Sequence, residues 1–120
     1  MENKISSEFD VAIVGGLGHV GLPLGIAFAD KGLRVCLCDI DKNKAEAVQK
    51  GEMPFIEYGA EPILKKVIRN GKLTISLDNN SISKAKHVII AIGTPVDEYL
   101  TPKTRAFLEF FENLKKYLNQ

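Results

Sequence analysis

Apolar positions along this chain fall into short unbroken runs and into longer stripes of helical spacing, and the two kinds alternate. Residues 9–14 form a run interrupted only by Asp10 and closed by Gly15 and Gly16, which predicts a strand buried on both faces. Residues 19–30 carry Val20, Leu22, Leu24, Ile26, Ala27 and Phe28, too dense an apolar content for a half-exposed helix. They predict a helix packed deeply on a sheet and ended at Gly32. A second run at 33–38 closes on Asp39, and a short amphipathic helix over 42–50 follows, with Ala45, Ala47 and Val48 among charges and Gly51 as its stop. Pro54 and Gly59 break the chain before a third helix over 61–70, which carries Ile63, Leu64, Val67 and Ile68 and ends at Gly71. Leu73, Ile75 and Leu77 alternate with Thr74 and Ser76, the period of a half-exposed strand near a sheet edge. Residues 87–92 give a fourth run, ended by Gly93, Thr94 and Pro95. Over 105–118, Phe107, Leu108, Phe111, Leu114, Tyr117 and Leu118 share one stripe with Phe110 beside it, a last amphipathic helix.

Strands alternating with helices argue for an α/β fold with a parallel sheet and right-handed crossovers. With about four strands in the order 3-2-1-4, residues 1–120 read as one domain, without internal repeat or dividing linker. A full sheet of this kind has six strands, the fifth lying beside the fourth. The 87–92 strand is therefore expected to be an apolar edge, covered by self-association or by the helix that bears Phe107, Phe110 and Phe111.

Sixteen basic against fifteen acidic residues leave a net charge of +1, which supplies no broad positive field for nucleic acid. Any phosphate recognition must be local. The hydrophobic fraction of 45% and charged fraction of 26% are those of an ordinary folded chain. The polar start, residues 1–10, has no apolar stretch that would serve as a signal peptide or a membrane span, so a cytoplasmic protein is expected. Cys36 and Cys38 lie two apart in an apolar run and point to one face of a strand. An intrachain disulfide there would be strained, and two thiols alone do not close a metal site, so they read as small core residues and no metal is expected.

Between the first strand and the first helix, Gly16, Gly18 and Gly21 form GxGxxG, the context in which this motif signifies a Rossmann-type dinucleotide site. The first glycine is expected to permit the tight turn, the second to let a pyrophosphate approach the backbone, and the third to bring the helix close to the sheet. Amides around Leu17, His19 and Val20, at the positive end of the helix dipole, then receive the diphosphate without a charged side chain. Pro23 falls in the first turn, where its missing N–H costs little, and Gly25 extends the small-residue face. Asp39, 18 positions beyond Gly21, stands where a carboxylate accepts the adenosine ribose hydroxyls, with Ile40 beside it. Its charge would repel a 2′-phosphate by about 1 to 4 kcal/mol at 4 Å, which favours NAD over NADP. Lys44 is within a turn of this point and reads either as a ribose or phosphate contact or, with Asp41, as a solvated helix start. Gly93, Thr94 and Pro95 follow the strand that neighbours the first, at the switch point of the sheet, where Thr94 would donate to the cofactor; the alternative is a loop whose threonine caps local backbone. His19 reads as a packing or stacking residue, and His87 has no assigned role.

The segments DVAIVGGLGHVGLPLG, CDIDKNK, GEMPFIEYGAEPILKK, GKLTIS and VIIAIGTPVDEYLTP resemble the N-terminal domain of the UDP-glucose/GDP-mannose dehydrogenase family over nearly the whole chain. By this resemblance Gly16, Gly18 and Gly21 match the phosphate loop, Asp39 and Lys44 the ribose contacts, and Thr94 with Pro95 the cofactor-contacting turn. His19 stands where the family usually has tyrosine. The resemblance implies oxidation of a nucleotide-sugar C6 alcohol to a carboxylate in two NAD-dependent steps, by way of a downstream cysteine nucleophile. Cys36 and Cys38 match no such position, so this polypeptide is expected to bind NAD without catalysis and to meet a nucleotide sugar only with a further domain. The alternatives are a free-standing NAD-binding regulatory or partner-binding module, and a structural remnant without ligand affinity.

Overall fold

A computed structural model describes residues 8–92 and 104–118 of the chain. Four strands, β1 (Phe9–Val14), β2 (Val35–Cys38), β3 (Leu73–Ser76) and β4 (Ala85–Ile90), form one parallel sheet in the order β3-β2-β1-β4. The expected 3-2-1-4 order is thus the observed one. Alternate residues of β1 and β2 serve opposite faces, as a pleated strand buried on both sides requires.

On one face Val11, Ile13, Val35, Leu37 and Leu73 pack against α1 (Gly21–Asp30), α2 (Lys42–Gln49) and α3 (Ala60–Arg69), through Leu22, Ile26, Val48, Leu64 and Val67. On the other, Ala12, Val14, Cys36 and Cys38 meet Ile82, Ala85 and Leu114, the last from α4 (Thr104–Lys115). The α-helices before β4 therefore use one face and the α-helix after it uses the other. The change of side falls between β1 and β4, which places the switch point at their C-terminal ends.

Cys36 and Cys38 are free and buried, with Sγ atoms 3.9 Å apart. The hydrogen bond with Cys36, and burial after it, push the Cys38 thiol well above the ordinary range. The expected stripe on α4 is represented by Leu114, fully buried, with Phe110, Phe111, Tyr117 and Leu118 packed around it; the side chain of Phe107 lies outside the described residues.

Several boundaries move from their expected places, each for a tertiary or capping reason. Leu33 belongs to the end of α1, because its N–H donates to Phe28 O and that of Gly32, at φ +98°, donates to Ala29 O. This left-handed closure starts β2 at Val35. β4 begins at Ala85 instead of His87, since Ala85 is the register partner of Phe9, and it ends where Val14 meets Ile90. Its length is set by β1, not by its own hydropathy. Between β3 and β4 a 3-10 turn over Asn80–Lys84 drives Ile82 into the second core, an element that no periodicity announces.

A polar clamp joins the open ends of β1 and β2. Asp10 accepts from the backbone N–H of Arg34 (2.9 Å) and from its guanidinium (2.9 and 3.3 Å), with Lys86 Nζ 3.8 Å away. These bonds, chiefly those from Arg34, hold the Asp10 carboxyl down at about 2.

Candidate functional site

The turn after β1 is held by the end of β2: the N–H groups of Gly15 and Gly16 both donate to Cys38 O, at 2.8 and 3.1 Å. The chain reverses at Gly15, where φ is +77° and a Cβ would lie 2.6 Å from Ala91 O. The left-handed residue of the turn is therefore Gly15, one place before the first glycine of the motif, and Gly16 follows it in the same turn, where a Cβ would lie 2.9 Å from Ile13 O. Gly16 also lies against β2, where a Cβ would be 2.7 Å from that of Leu37. Leu17 plugs the turn into the first core, fully buried.

Gly21, the first residue of α1, lies so close to the turn that a Cβ would stand 2.5 Å from Gly15 O and 2.9 Å from Gly16 Cα. Gly25, one turn on, admits Leu37 Cδ2 in the same way at 2.6 Å, so α1 runs tight along the sheet. Pro23 lies in the first turn of this helix, as its tolerated position requires. Gly18 is different. Around it a Cβ would meet only Gly15 O, at 3.6 Å, so its outer side is open space. Of the three glycines of the motif, two are needed by packing and one leaves a surface clear.

The start of α1 is presented to that clearing. Its N-cap is Val20, 68% exposed and without a side-chain cap. The amides of His19, Val20 and Gly21 carry no hydrogen bond to an acceptor among the described residues, as helix N-termini generally leave theirs for a ligand or water. An anionic oxygen there would meet several N–H donors and the positive end of the helix dipole together.

Asp39, at the end of β2, reaches back to this turn. Its Oδ2 accepts from Leu17 N–H at 3.0 Å, and its Oδ1 from the amides of Ile40 (2.8 Å) and Asp41 (3.1 Å). Sequence reasoning placed this carboxylate at the ribose position; the structure adds that it also ties the glycine turn to the chain entering α2. Three donors leave it lone-pair capacity for a hydroxyl. Ile40 is 91% exposed beside it. Asp41 is the N-cap of α2, accepting from Lys44 N–H at 3.0 Å, so the helix-start reading of Asp41 holds, while the half-buried Lys44 sits on that first turn. Gly93, Thr94 and Pro95 lie outside the described residues. Ala91 N–H donates to Val14 O, so the chain leading to them still follows β1.

One residue near the site carried no signal in the sequence. Phe55, in the loop between α2 and α3, stacks on His19 with ring centroids 4.2 Å apart and planes 22° from parallel. His19 is thus a stacking residue, as its surroundings in the sequence implied, but its partner is 36 positions away, beyond the reach of any local pattern.

A tight turn, an open amide-lined helix start and a carboxylate at the neighbouring strand end together fit a dinucleotide such as NAD. Comparison with known proteins points the same way. Residues 9–120 match the family described as "UDP-glucose/GDP-mannose dehydrogenase family, NAD binding domain". UDP-glucose 6-dehydrogenase TuaD of Bacillus subtilis is 36% identical over 89 residues, which are 73% of this chain and 19% of that protein. The structure is similar to that of an NDP-N-acetyl-D-galactosaminuronic acid dehydrogenase from Methanosarcina mazei, with a TM-score of 0.76 at 31% identity over 90% of this chain and 25% of the other. It is similar also to a UDP-D-ManNAc dehydrogenase from Pyrococcus horikoshii, with a TM-score of 0.80 at 25% identity over 92% and 26% of the two chains. The chain spans about a fifth of the length of the curated relative, 19%. It belongs to the UDP-glucose/GDP-mannose dehydrogenase family, as the NAD-binding domain of such an enzyme.

Proposed function

We propose that the turn of Gly16, Leu17 and Gly18, with the amides of His19, Val20 and Gly21, receives the diphosphate of NAD, and that Asp39 accepts the adenosine ribose hydroxyls. Ile40 would border the adenine and Lys44 would reach the ribose or phosphate side. Gly93, Thr94 and Pro95 join this assignment on their sequence pattern and family resemblance. The observation that carries the reading is the Asp39 carboxylate hydrogen-bonded to the glycine turn beside three amides with no acceptor among the described residues. NAD, when bound, supplies a hydride acceptor. The chain's own contribution is to bind and orient it, and to reject a 2′-phosphate next to Asp39. In the whole enzyme the reaction served is oxidation of a nucleotide-sugar C6 alcohol to the carboxylate.

A cytoplasmic location goes with this reading, because the free Cys36 and Cys38 suit a reducing compartment. Among the described residues no helix is long and apolar enough to cross a membrane. A second copy of the chain, pairing along the outer edge of β4 or on α4, is the proposed protein partner. Calorimetric titration with NAD and with NADP tests the cofactor assignment: NAD should bind more tightly, and equal affinities or no binding of either would overturn it.

A further inference from the structure

In the segment 18–20 the carbonyls are held by α1, Gly18 O accepting from Leu22 N–H at 3.1 Å and Val20 O from Leu24 N–H at 3.2 Å, while the amides of His19 and Val20 have no acceptor among the described residues. Gly18 N–H reaches Gly15 O at 3.3 Å, Val20 has no side-chain cap, and both His19 and Val20 are exposed. The side chain of His19 stacks on the ring of Phe55. Phe55, by contrast, is firmly seated. It is half-buried and packs, with Met53, against the first core. Its loop is anchored on α3, where Met53 N–H donates to Glu61 Oε2 at 2.9 Å and Ala60 N–H closes on Glu57 O at 3.1 Å. Behind it, Lys65 Nζ donates to Gly51 O at 3.0 Å. A core-anchored ring therefore holds the side chain of a residue whose own amide, and that of its successor, have no acceptor among the described residues.

We propose that Phe55 is a positioning residue for the cofactor: stacked on His19, it fixes the peptide groups on either side of His19 in the orientation that receives the diphosphate. The inference rests on the NAD assignment made above. Its physical basis is that a ligand binding to a turn already ordered does not have to supply the cost of ordering it. The effect should follow the diphosphate and not the adenosine, because the Asp39 carboxylate is held by the amides of Leu17, Ile40 and Asp41 and by none of the Phe55 loop.

The test is titration of the chain with NAD, ADP-ribose and adenosine, for the wild type, Phe55→Ala, Phe55→Tyr, His19→Ala and the double alanine variant. Phe55→Ala should weaken NAD and ADP-ribose by about three- to tenfold and leave adenosine unchanged. Phe55→Tyr, which keeps the ring, should restore wild-type affinity, and the double variant should bind no more weakly than the weaker single. Should Phe55→Ala fail to fold, Phe55→Leu fills the core position without an aromatic face and carries the same expectation. Unchanged NAD affinity in the alanine or leucine variant, an equal loss for adenosine, or failure of tyrosine to restore binding would overturn the role of Phe55 while leaving the cofactor assignment intact. A wild-type chain that binds neither NAD nor ADP-ribose would remove both.

Discussion

Gly18 and Gly21 occupy the same motif yet answer to different demands, and substitution should separate them. An alanine methyl at Gly21 would meet two backbone groups at 2.5 and 2.9 Å that no rotamer change can move. Gly21→Ala is therefore expected to cost about 3 kcal/mol in denaturant unfolding and to abolish NAD binding. At Gly18 the nearest atom is 3.6 Å away, an ordinary contact, so Gly18→Ala should leave stability within about 1 kcal/mol of wild type. Its NAD affinity should nevertheless fall by about tenfold or more, because the methyl would occupy the side proposed to receive the diphosphate. Similar stability losses in both variants would mean that the clearing at Gly18 is misread. Asp39→Asn addresses the neighbouring carboxylate: one acceptor oxygen cannot replace two that serve Leu17, Ile40 and Asp41. Weaker NAD binding, a narrowed preference over NADP and a stability loss of about 1 kcal/mol are expected together. The preference is read by calorimetry and the stability by thermal unfolding.

The element ends show how local chemistry and neighbours share control. Gly32, Gly51 and Gly71 stop α1, α2 and α3 by the same left-handed closure, and all three stops were visible as glycines after apolar stripes. The start of α1 was placed two residues early, because His19 and Val20 continue its composition but the close approach of Gly21 to Gly15 decides where the helix begins. At the other end of the strands, the Asp10–Arg34 clamp carries a pH dependence. Its folded carboxyl titrates at about 2, below the ordinary value of 3.8, so its contribution is complete above that ordinary value and disappears as the pH falls through about 2. Asp10→Asn should then lower stability by about 1 kcal/mol at neutral pH, a figure reduced for solvent exposure of the pair, and by progressively less as the pH falls below the ordinary value and through about 2. Unfolding curves at a series of pH values check it, and a constant difference down to pH 2 would contradict the clamp.

At the scale of the molecule, the sheet keeps two cores apart, and the second depends on α4. Leu114 is its anchor, 1% exposed against Cys36 and Cys38. Leu114→Ala should cost about 2 to 5 kcal/mol and make both thiols, otherwise buried and in the case of Cys38 hard to ionise, react with a thiol reagent much faster than in the wild type. An unchanged labelling rate would show that α4 does not shield this face. The expectation from the sequence is that the outer edge of β4 is covered, by self-association or by the helix bearing Phe107, Phe110 and Phe111; what the fold shows is Val88 of β4 packed on its face with Phe110 and Phe111 in the second core. Among the described residues, no strand pairs with the outer edge of β4.

The chain itself determined the strands, the helices, their order and the dinucleotide signature, because these depend on short-range spacing: apolar runs, helical stripes, and glycines where a side chain cannot stand. What the tertiary structure alone decided are the relations between distant residues. The left-handed Gly15 has Ala91 O where its Cβ would stand, and Gly16 lies against Leu37 of β2. Asp39 holds Leu17 across 22 positions, and β4 takes its length from β1. Ile82 and Phe55 matter only because the fold brings them to the second core and to His19. Spacing along a chain encodes which face of an element is apolar, whereas the partner that meets that face is chosen by packing, which no local pattern contains.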